Sequence, residues 1–401
     1  MAKTDKKPII FDFYTLEHLF KQCPREEFYY YVIIGERSNG KTFSVQEYAL
    51  REYLKTGKQL AYVRRWESDW EKGNTTKVWE HFIDNPYRGN IIEELTKGKY
   101  NSISYNLGAW TLVKRATKNF EDEKGYKHKI GDILEKDSSP FGYLFSLNLA
   151  EHYKGTSYPR VGTILFDEFI TRGYYLHGGE EFVEWQGLIS TIVRLETTAR
   201  IFMLANTIST QCPYFREMGI RHIKDMKPGQ IDVYEYGDSG LKVAVEMTQN
   251  DASRKNKKKS NIFFAFDNPR LAMIRGDGDS LWEIDIYPHA PKDFKYEKKD
   301  IKYIFFIVYE GETLQGEVVW KNQALFTFIH RKTTPIKPDN KNLVFTPEYN
   351  PLPWYIRRIG KIESPLQRII ATQFATERVY YQDNEVGESV KHYLDWADNN
   401  A

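Results

Sequence analysis

The 401-residue chain contains only two cysteines, Cys23 and Cys212, too few for a disulfide framework, so a reducing compartment is expected. No stretch approaches the roughly 18 uninterrupted apolar residues of a membrane span, and the opening MAKTDKKP has no apolar segment, so neither a membrane helix nor a signal peptide is expected. An excess of one charge is also missing. The 57 Lys+Arg and 55 Asp+Glu leave a formal net charge of +2, which neither demands nor excludes nucleic acid, so any basic surface must be local. There is no internal repeat and no low-complexity tract. What is abundant is aromatic: 28 Tyr and 24 Phe in a composition 41% hydrophobic and 28% charged point to a globular chain with ring-rich cores. The length suggests two or three domains.

The informative stretch is IIGERSNGKTF, residues 33–43. A continuous apolar strand, YYYVIIG, runs into Gly35, and Gly40, Lys41 and Thr42 complete the phosphate-loop pattern G-x-x-x-x-G-K-[ST]. A helix is predicted directly after it, ending near Gly57, and QLAYVRRW (59–66) reads as the next strand, so the order opens a parallel α/β sheet. In such a loop the backbone N–H groups of Gly35, Glu36, Arg37, Ser38, Asn39, Gly40, Lys41, Thr42 and Phe43 can cradle ATP phosphates. Lys41 would reach the β and γ phosphates, and the Thr42 hydroxyl would ligate Mg²⁺. The alternative is a Gly-rich turn bearing an exposed lysine.

A second acidic element follows. TILFDEF (163–169) is a buried strand ending in Asp167, placed for Mg²⁺, and Glu168, placed to deprotonate a water. ARIFMLANT (199–207) is a further strand ending in Asn206, which can sense the γ phosphate through the attacking water. At least two strand candidates, 109–116 and 142–148, lie between Thr42 and Val161, as expected of a P-loop ATPase of the additional-strand type with a catalytic Glu. A small-molecule kinase, the third reading, has no need of the second acid. Arg194, at the end of the predicted helix 181–195, is the candidate arginine finger acting on a neighbouring subunit, with Arg200 as its rival and a surface arginine near a helix C-terminus as the plain alternative.

Basic residues cluster twice. KRATKNFEDEKGYKHK (114–129) carries Lys114, Arg115, Lys118, Lys124, Lys127 and Lys129 and reads as a loop or hairpin hanging from the sheet, either on DNA phosphates or simply solvated. Arg254, Lys255, Lys257, Lys258 and Lys259 form the second run. From about residue 297 the texture changes to IKYIFFIVYEGETLQGEVVWKNQALFTFIHRK, three short strands with turns at GET and KNQ, and then to segments expected to be helical, SPLQRIIATQFATERVYY and ESVKHYLDWADN.

GERSNGKT, the YVRR ending the second strand, KGTSYPRVGTILFDEF and the Ala-Asn pair ending the sensor strand together resemble the DNA-encapsidation ATPases of small short-tailed bacteriophages, over roughly residues 10–225. That resemblance implies a ring-forming motor, of five subunits, that pumps double-stranded DNA into a procapsid through its portal, in the host cytoplasm and without a membrane. It also implies kinship with large terminases, whose ATPase domain precedes an RNase H-like nuclease. The expected architecture is α/β: an ATPase domain over 1–228, a linker or lid over 229–296 and a C-terminal RNase H-like α+β domain over 297–401. A nuclease of that type needs a carboxylate inside its first strand, but YIFFIVY (303–309) has none before Glu310. From residue 297 onward 14 Lys+Arg balance 14 Asp+Glu, so portal docking is the better expectation than a DNA cradle. The runner-up is a true terminase cutting DNA with Glu310, Glu312 and later acids such as Asp383 or Asp395.

Overall fold

The computed structural model describes residues 13–36, 39–71, 73–171, 175–176, 180–194, 198–206, 212–223, 225–248, 287–290 and 295–399. They fall into two compact units. The first spans Met1–Phe169, Glu184–Asn206 and Lys227–Phe264; the second spans Ile170–Val183, Thr207–Met226 and Ala265–Ala401.

In the first unit a short helix α1 (Glu17–Gln22) leads into β1 (Phe28–Gly35), α2 (Lys41–Thr56) and β2 (Gln59–Arg64). Helix α2 begins after Gly40 (φ 98°) and ends at Gly57 (φ 75°), whose N–H returns to the Tyr53 carbonyl at 2.8 Å; both positions need the left-handed backbone that glycine supplies. Three short helices follow, α3 (Asn74–Lys77), α4 (Glu80–Ile83) and α5 (Ile91–Leu95). After them come β3 (Ser102–Asn106), β4 (Ala109–Arg115), β5 (Phe120–Glu121), β6 (Lys127–His128), β7 (Ile133–Lys136), β8 (Gly142–Ser146) and β9 (Val161–Asp167). Helix α6 (Glu181–Val193), which begins in the second unit, and β10 (Arg200–Asn206) follow; after α7 (Pro213–Glu217), which belongs to the second unit, β11 (Ile231–Tyr236) and β12 (Leu241–Met247) complete the first. The sheet order is β11-β12-β1-β10-β9-β2-β8-β4-β3, with β7 on β4. From β12 to β8 all pairs are parallel, while β11, β4, β3 and β7 join antiparallel. Every residue of β9 is buried, as a strand covered on both faces requires. The core is as ring-rich as expected: Tyr31 stacks on Phe202 at 5.1 Å and Phe43 on Phe82 at 4.6 Å.

Residues 231–247, read from sequence as part of a linker, instead build the edge of this sheet, β12 lying parallel to β1. β11 lies at the sheet edge, where its residues are exposed or only partly buried.

The second unit holds β13 (Ile301–Tyr309), β14 (Glu312–Lys321) and β15 (Ala324–Arg331), an antiparallel meander joined by the two-residue turns Glu310-Gly311 and Asn322-Gln323, with positive φ at all four positions. Gly316 lies under Phe305, whose ring would be 2.2 Å from any Cβ there. β16 (Val344–Phe345) and β17 (Tyr355–Ile356) add in parallel beside β13, followed by α8 (Pro365–Ala375), β18 (Val379–Tyr381) and α9 (Asn384–Asn399). The sequence reading extended helix through ATERVYY, but Val379–Tyr381 pairs in parallel with β15, its alternate residues Val379 and Tyr381 buried. Val386, Val390, Tyr393 and Ala397 put one face of α9 into this unit's core.

Candidate active site

Strand register brings the candidate residues to one edge of the first sheet. Gly35 at the end of β1 is paired with Asn206 at the end of β10, and Asp167 of β9 with Leu204, so three strand ends converge there. The loop after β1 is held against that edge from two sides. A Cβ on Gly35 would lie 1.8 Å from Thr248 Oγ1, so only glycine fits. Asn39 Nδ2 donates to the same hydroxyl at 2.9 Å. On the other side Tyr14 N–H donates to the Asn39 carbonyl at 2.9 Å, and Tyr14 O–H and His18 Nε2 meet the two carboxylate oxygens of buried Glu246 at 2.7 and 2.5 Å. Burial raises the Tyr14 phenol well above its ordinary value, and the Glu246 bond raises that of His18.

Lys41 is buried at the base of the loop, where its ammonium donates to the Gly35 and Glu36 carbonyls at 3.1 and 2.8 Å and to Asn39 Oδ1 at 3.2 Å. Thr42 Oγ1 donates to Asp167 Oδ1 at 3.2 Å. Asp167 Oδ2 accepts from Tyr62 O–H at 2.7 Å and from Arg64 Nη2 at 3.0 Å, while Arg64 Nη1 reaches Glu168 Oε2 at 2.8 Å. Burial opposes the charge on Arg64, but the Asp167 and Glu168 carboxylates outweigh it and raise its pKa. Glu168 itself has φ +62°, a conformation that costs a non-glycine residue on the order of 1 kcal/mol. Arg65, buried, fixes this turn by donating to the carbonyls of Glu168 at 3.2 Å and Phe169 at 2.6 Å. Neither arginine had been given a role from sequence; the signal was the Arg-Arg pair ending an otherwise apolar strand.

These groups line a cleft of about 770 Å³ that takes in Asn39, Gly40, Lys41, Thr42, Phe43, Asp167, Glu168 and Asn206. Arg37 and Ser38 lie outside the described residues, and Glu36 is buried. A hydroxyl and a carboxylate 3.2 Å apart are hard oxygen donors suited to Mg²⁺. The Lys41 ammonium, turned onto three oxygens, is placed to exchange them for phosphate oxygens.

Arg194 does not line this cleft. It is exposed just beyond α6, with φ +44°, and its Nη2 donates to the Thr156 carbonyl at 3.1 Å. Arg200 starts β10, at the opposite end of that strand from Asn206; it donates to the Thr198 carbonyl at 2.6 Å and lies over the Tyr29 ring at 4.8 Å.

The six basic residues of the 114–129 segment divide. Lys114 is bonded to Glu93 and the Gly98 carbonyl, both at 3.0 Å, and Arg115 to the Gly131 carbonyl at 2.7 Å, on strand β4. Lys118, Lys124, Lys127 and Lys129 are exposed on a separate two-stranded hairpin, β5–β6, whose turn is organised by Asp122 accepting from Lys124 N–H and Tyr126 N–H at 2.9 Å. The run Arg254–Lys259 lies outside the described residues.

Among the described residues of the second unit, the acids named from the sequence divide between different places. Asp383 pairs with Arg331 at 2.8 Å and Asp395 with Lys391, whereas Glu310 and Glu312 line a separate cavity of about 200 Å³. Among the described residues no group of three or more His, Cys, Asp or Glu could hold a metal ion, and no helix is long and apolar enough to cross a membrane.

Comparison with known proteins is in keeping with this geometry. The chain is 22% identical over 316 residues to a DNA packaging protein of Bacillus phage B103, covering 78% of this chain and 79% of that one. It is 24% identical over 314 residues to the DNA packaging protein of Bacillus phage phi29, covering 78% and 76%. Its fold is like that of the phi-28 gp11 DNA packaging motor, with a TM-score of 0.51 at 18% identity over 96% of this chain and 97% of that one. The sequence model of one family matches residues 21–134 and 116–350, most of the chain, and by that match this protein belongs to the Podovirus DNA encapsidation protein (Gp16) family.

Proposed function

We propose that this DNA-encapsidation protein hydrolyses ATP to drive double-stranded DNA into a procapsid, working as a homo-oligomeric ring, of five subunits, at the portal, in the host cytoplasm. The observation that carries this reading is the convergence of the phosphate loop, Asp167, Glu168 and Asn206 on one cleft. The order β12-β1-β10-β9-β2, with the sensor strand between the loop strand and the acidic strand, supports the additional-strand class with a catalytic Glu.

Lys41 would hold the β and γ phosphates in place of its present carbonyl partners. Thr42 and Asp167 would hold Mg²⁺, which neutralises phosphate charge when bound. Glu168 would accept the proton of the attacking water, and Asn206 would orient that water through its carboxamide. Arg64 now engages Glu168 Oε2, so proton transfer there requires that contact to open. Arg194, exposed and away from its own cleft, would serve the adjacent subunit in trans. Lys118, Lys124, Lys127 and Lys129, with Lys114 and Arg115 at the hairpin's root, would meet DNA phosphates.

For the C-terminal part, a three-stranded antiparallel meander extended by two strands parallel to its first supports an RNase H-like sheet. The separation of Asp383 and Asp395, each paired to a basic residue, from Glu310 and Glu312 supports a portal-docking role without DNA cleavage. The linker or lid expected over 229–296 loses β11 and β12 to the ATPase sheet, and its stretch 249–286 lies outside the described residues. The test is ATP turnover by the full chain with and without double-stranded DNA and procapsids. Turnover should rise with both and vanish in Lys41→Ala; DNA-independent turnover that survives Lys41→Ala would refute the reading.

A further inference from the structure

The mouth of the cleft carries two large aromatic rings that the core does not use. Phe13 is 47% and Tyr87 56% exposed, and their centroids stand 5.9 Å apart at 51°. Both are mounted on rigid supports. Phe13 packs on Gly40 of the phosphate loop, and the next residue, Tyr14, is bonded to the Asn39 carbonyl. Tyr87 rides a tight turn closed by two backbone bonds between Asn85 and Gly89, at 2.9 and 2.8 Å. Arg88 ties that turn to Glu47 of the phosphate-loop helix at 2.9 Å and to Glu94 at 2.7 Å. Exposed rings carried on two separate segments and lining the same cleft as the phosphate loop match the flat apolar faces of a nucleobase.

Two carboxamides of the lining, Asn85 and Gln46, are committed to the scaffold. Asn85 Oδ1 accepts from the Tyr87 and Arg88 N–H groups at 3.0 and 3.1 Å, and its Nδ2 donates to the His81 carbonyl at 3.2 Å. Gln46 Nε2 donates to the Val78 carbonyl at 3.0 Å. Gln46 and Asn85, two of the carboxamides that line the cleft, thus hold the scaffold.

We propose that Phe13 and Tyr87 form a nucleobase clamp that grips a purine by stacking without reading its hydrogen-bonding edge, so that the protein takes ATP and GTP with little discrimination. The inference rests on the nucleotide reading of the cleft. A base between the rings requires them to part by about 1 Å, to roughly 7 Å, the outer end of aromatic pair separations. Selectivity between purines normally comes from buried polar groups left unpaired by the wrong ligand, and here Asn85 and Gln46 already bond to the scaffold.

The experiment measures binding of ATP, GTP and inorganic tripolyphosphate to the full chain in Mg²⁺. Tyr87→Ala and Phe13→Ala should each weaken ATP and GTP roughly tenfold, the scale of one lost base–aromatic stack, and leave tripolyphosphate unchanged. Tyr87→Phe should behave as wild type, and wild-type affinities for ATP and GTP should agree within about tenfold, far below the roughly 10⁴-fold rejection of a polar-edge reader. An equal loss for tripolyphosphate would show that the rings only prop the phosphate loop, and undiminished ATP binding in both alanine variants would remove the clamp; either result overturns the proposal. Wild type that binds tripolyphosphate as tightly as ATP also overturns it while leaving the phosphate loop standing. Wild type that binds neither brings down the nucleotide reading, and the clamp with it.

Discussion

Two turns in this molecule share a local design and differ in what surrounds them. Glu168 follows the buried strand β9 and Glu310 the strand β13, and both sit just past the strand end with positive φ, +62° and +51°. Glu168 is bonded to a guanidinium at 2.8 Å, beside a second acid similarly held, and faces a cleft with the Lys41 ammonium in it. Glu310 receives Arg216 at its backbone carbonyl, not at its carboxylate, and its Oε1 is enclosed with no hydrogen-bond partner. Burial pushes its carboxyl up to about 7, with Glu181 and Glu312 adding repulsion and Arg216 opposing. An acid at a strand end is therefore not enough for phosphate chemistry. What distinguishes the first turn is the arginine-bearing end of the neighbouring strand β2 and the cation-lined loop across from it.

The widest separation between the two turns should appear in catalysis. If Glu168 takes the water's proton as proposed, Glu168→Gln should lower ATP turnover by up to about 10⁴, the upper end for a positioned base, while ATP still binds. Glu310→Gln should leave turnover as in wild type. Near wild-type hydrolysis by the Glu168 variant would erase the distinction. The same contrast extends to DNA cleavage: the full chain with plasmid and Mn²⁺ should show no nicking, and nicking that disappears in Glu310→Ala would make the second turn a metal site after all.

A somewhat smaller loss, on the order of 10³, is expected for Arg194→Ala if the first turn is completed from a neighbouring subunit. Nucleotide binding to the variant's own cleft should persist, since Arg194 does not line it. Mixing Arg194→Ala subunits with Glu168→Gln subunits should restore some turnover, because some interfaces then join an intact arginine to an intact glutamate. Mixed rings that stay inactive would exclude Arg194 in trans. Arg200 would be the next residue to test, although its guanidinium is turned to its own chain.

Much of the first turn could be read in the sequence, because each of its parts is local: a glycine-framed loop after an apolar strand, and two acids ending another. Its electrostatic support was less visible. Arg64 sits about 100 residues from the carboxylates it holds, and Arg65 as far from the carbonyls of Glu168 and Phe169 that it caps; only the sheet order, which puts β2 beside β9, brings them together. Residues 231–247 were misread for a related reason: strand pairing over about 200 residues of chain leaves no mark in local periodicity. In the second unit the meander was legible from alternation and turn residues, but Val379–Tyr381 was lost to the helical pattern before it. The burial of Glu310 depends on Arg216, Ser389 and other cavity residues far along the chain.

The finest test of the contrast is the pH dependence of stability at Glu310. Its folded-state value of about 7 lies above the ordinary 4.5, so the folded protein holds a proton that the unfolded chain gives up. The stabilisation associated with that proton is fully present below about pH 4.5 and is lost as pH rises through about 7. Glutamine imitates the protonated carboxyl and can keep the same backbone turn, so Glu310→Gln should match wild type near pH 4 and exceed it at pH 8 by on the order of 2 kcal/mol, somewhat less than the full shift because the residue is not completely enclosed. Urea titrations of both proteins at the two pH values measure this directly. A difference that is the same at both would mean that Glu310 ionises as an ordinary surface acid, and the enclosure that sets it apart from Glu168 would lose its energetic meaning.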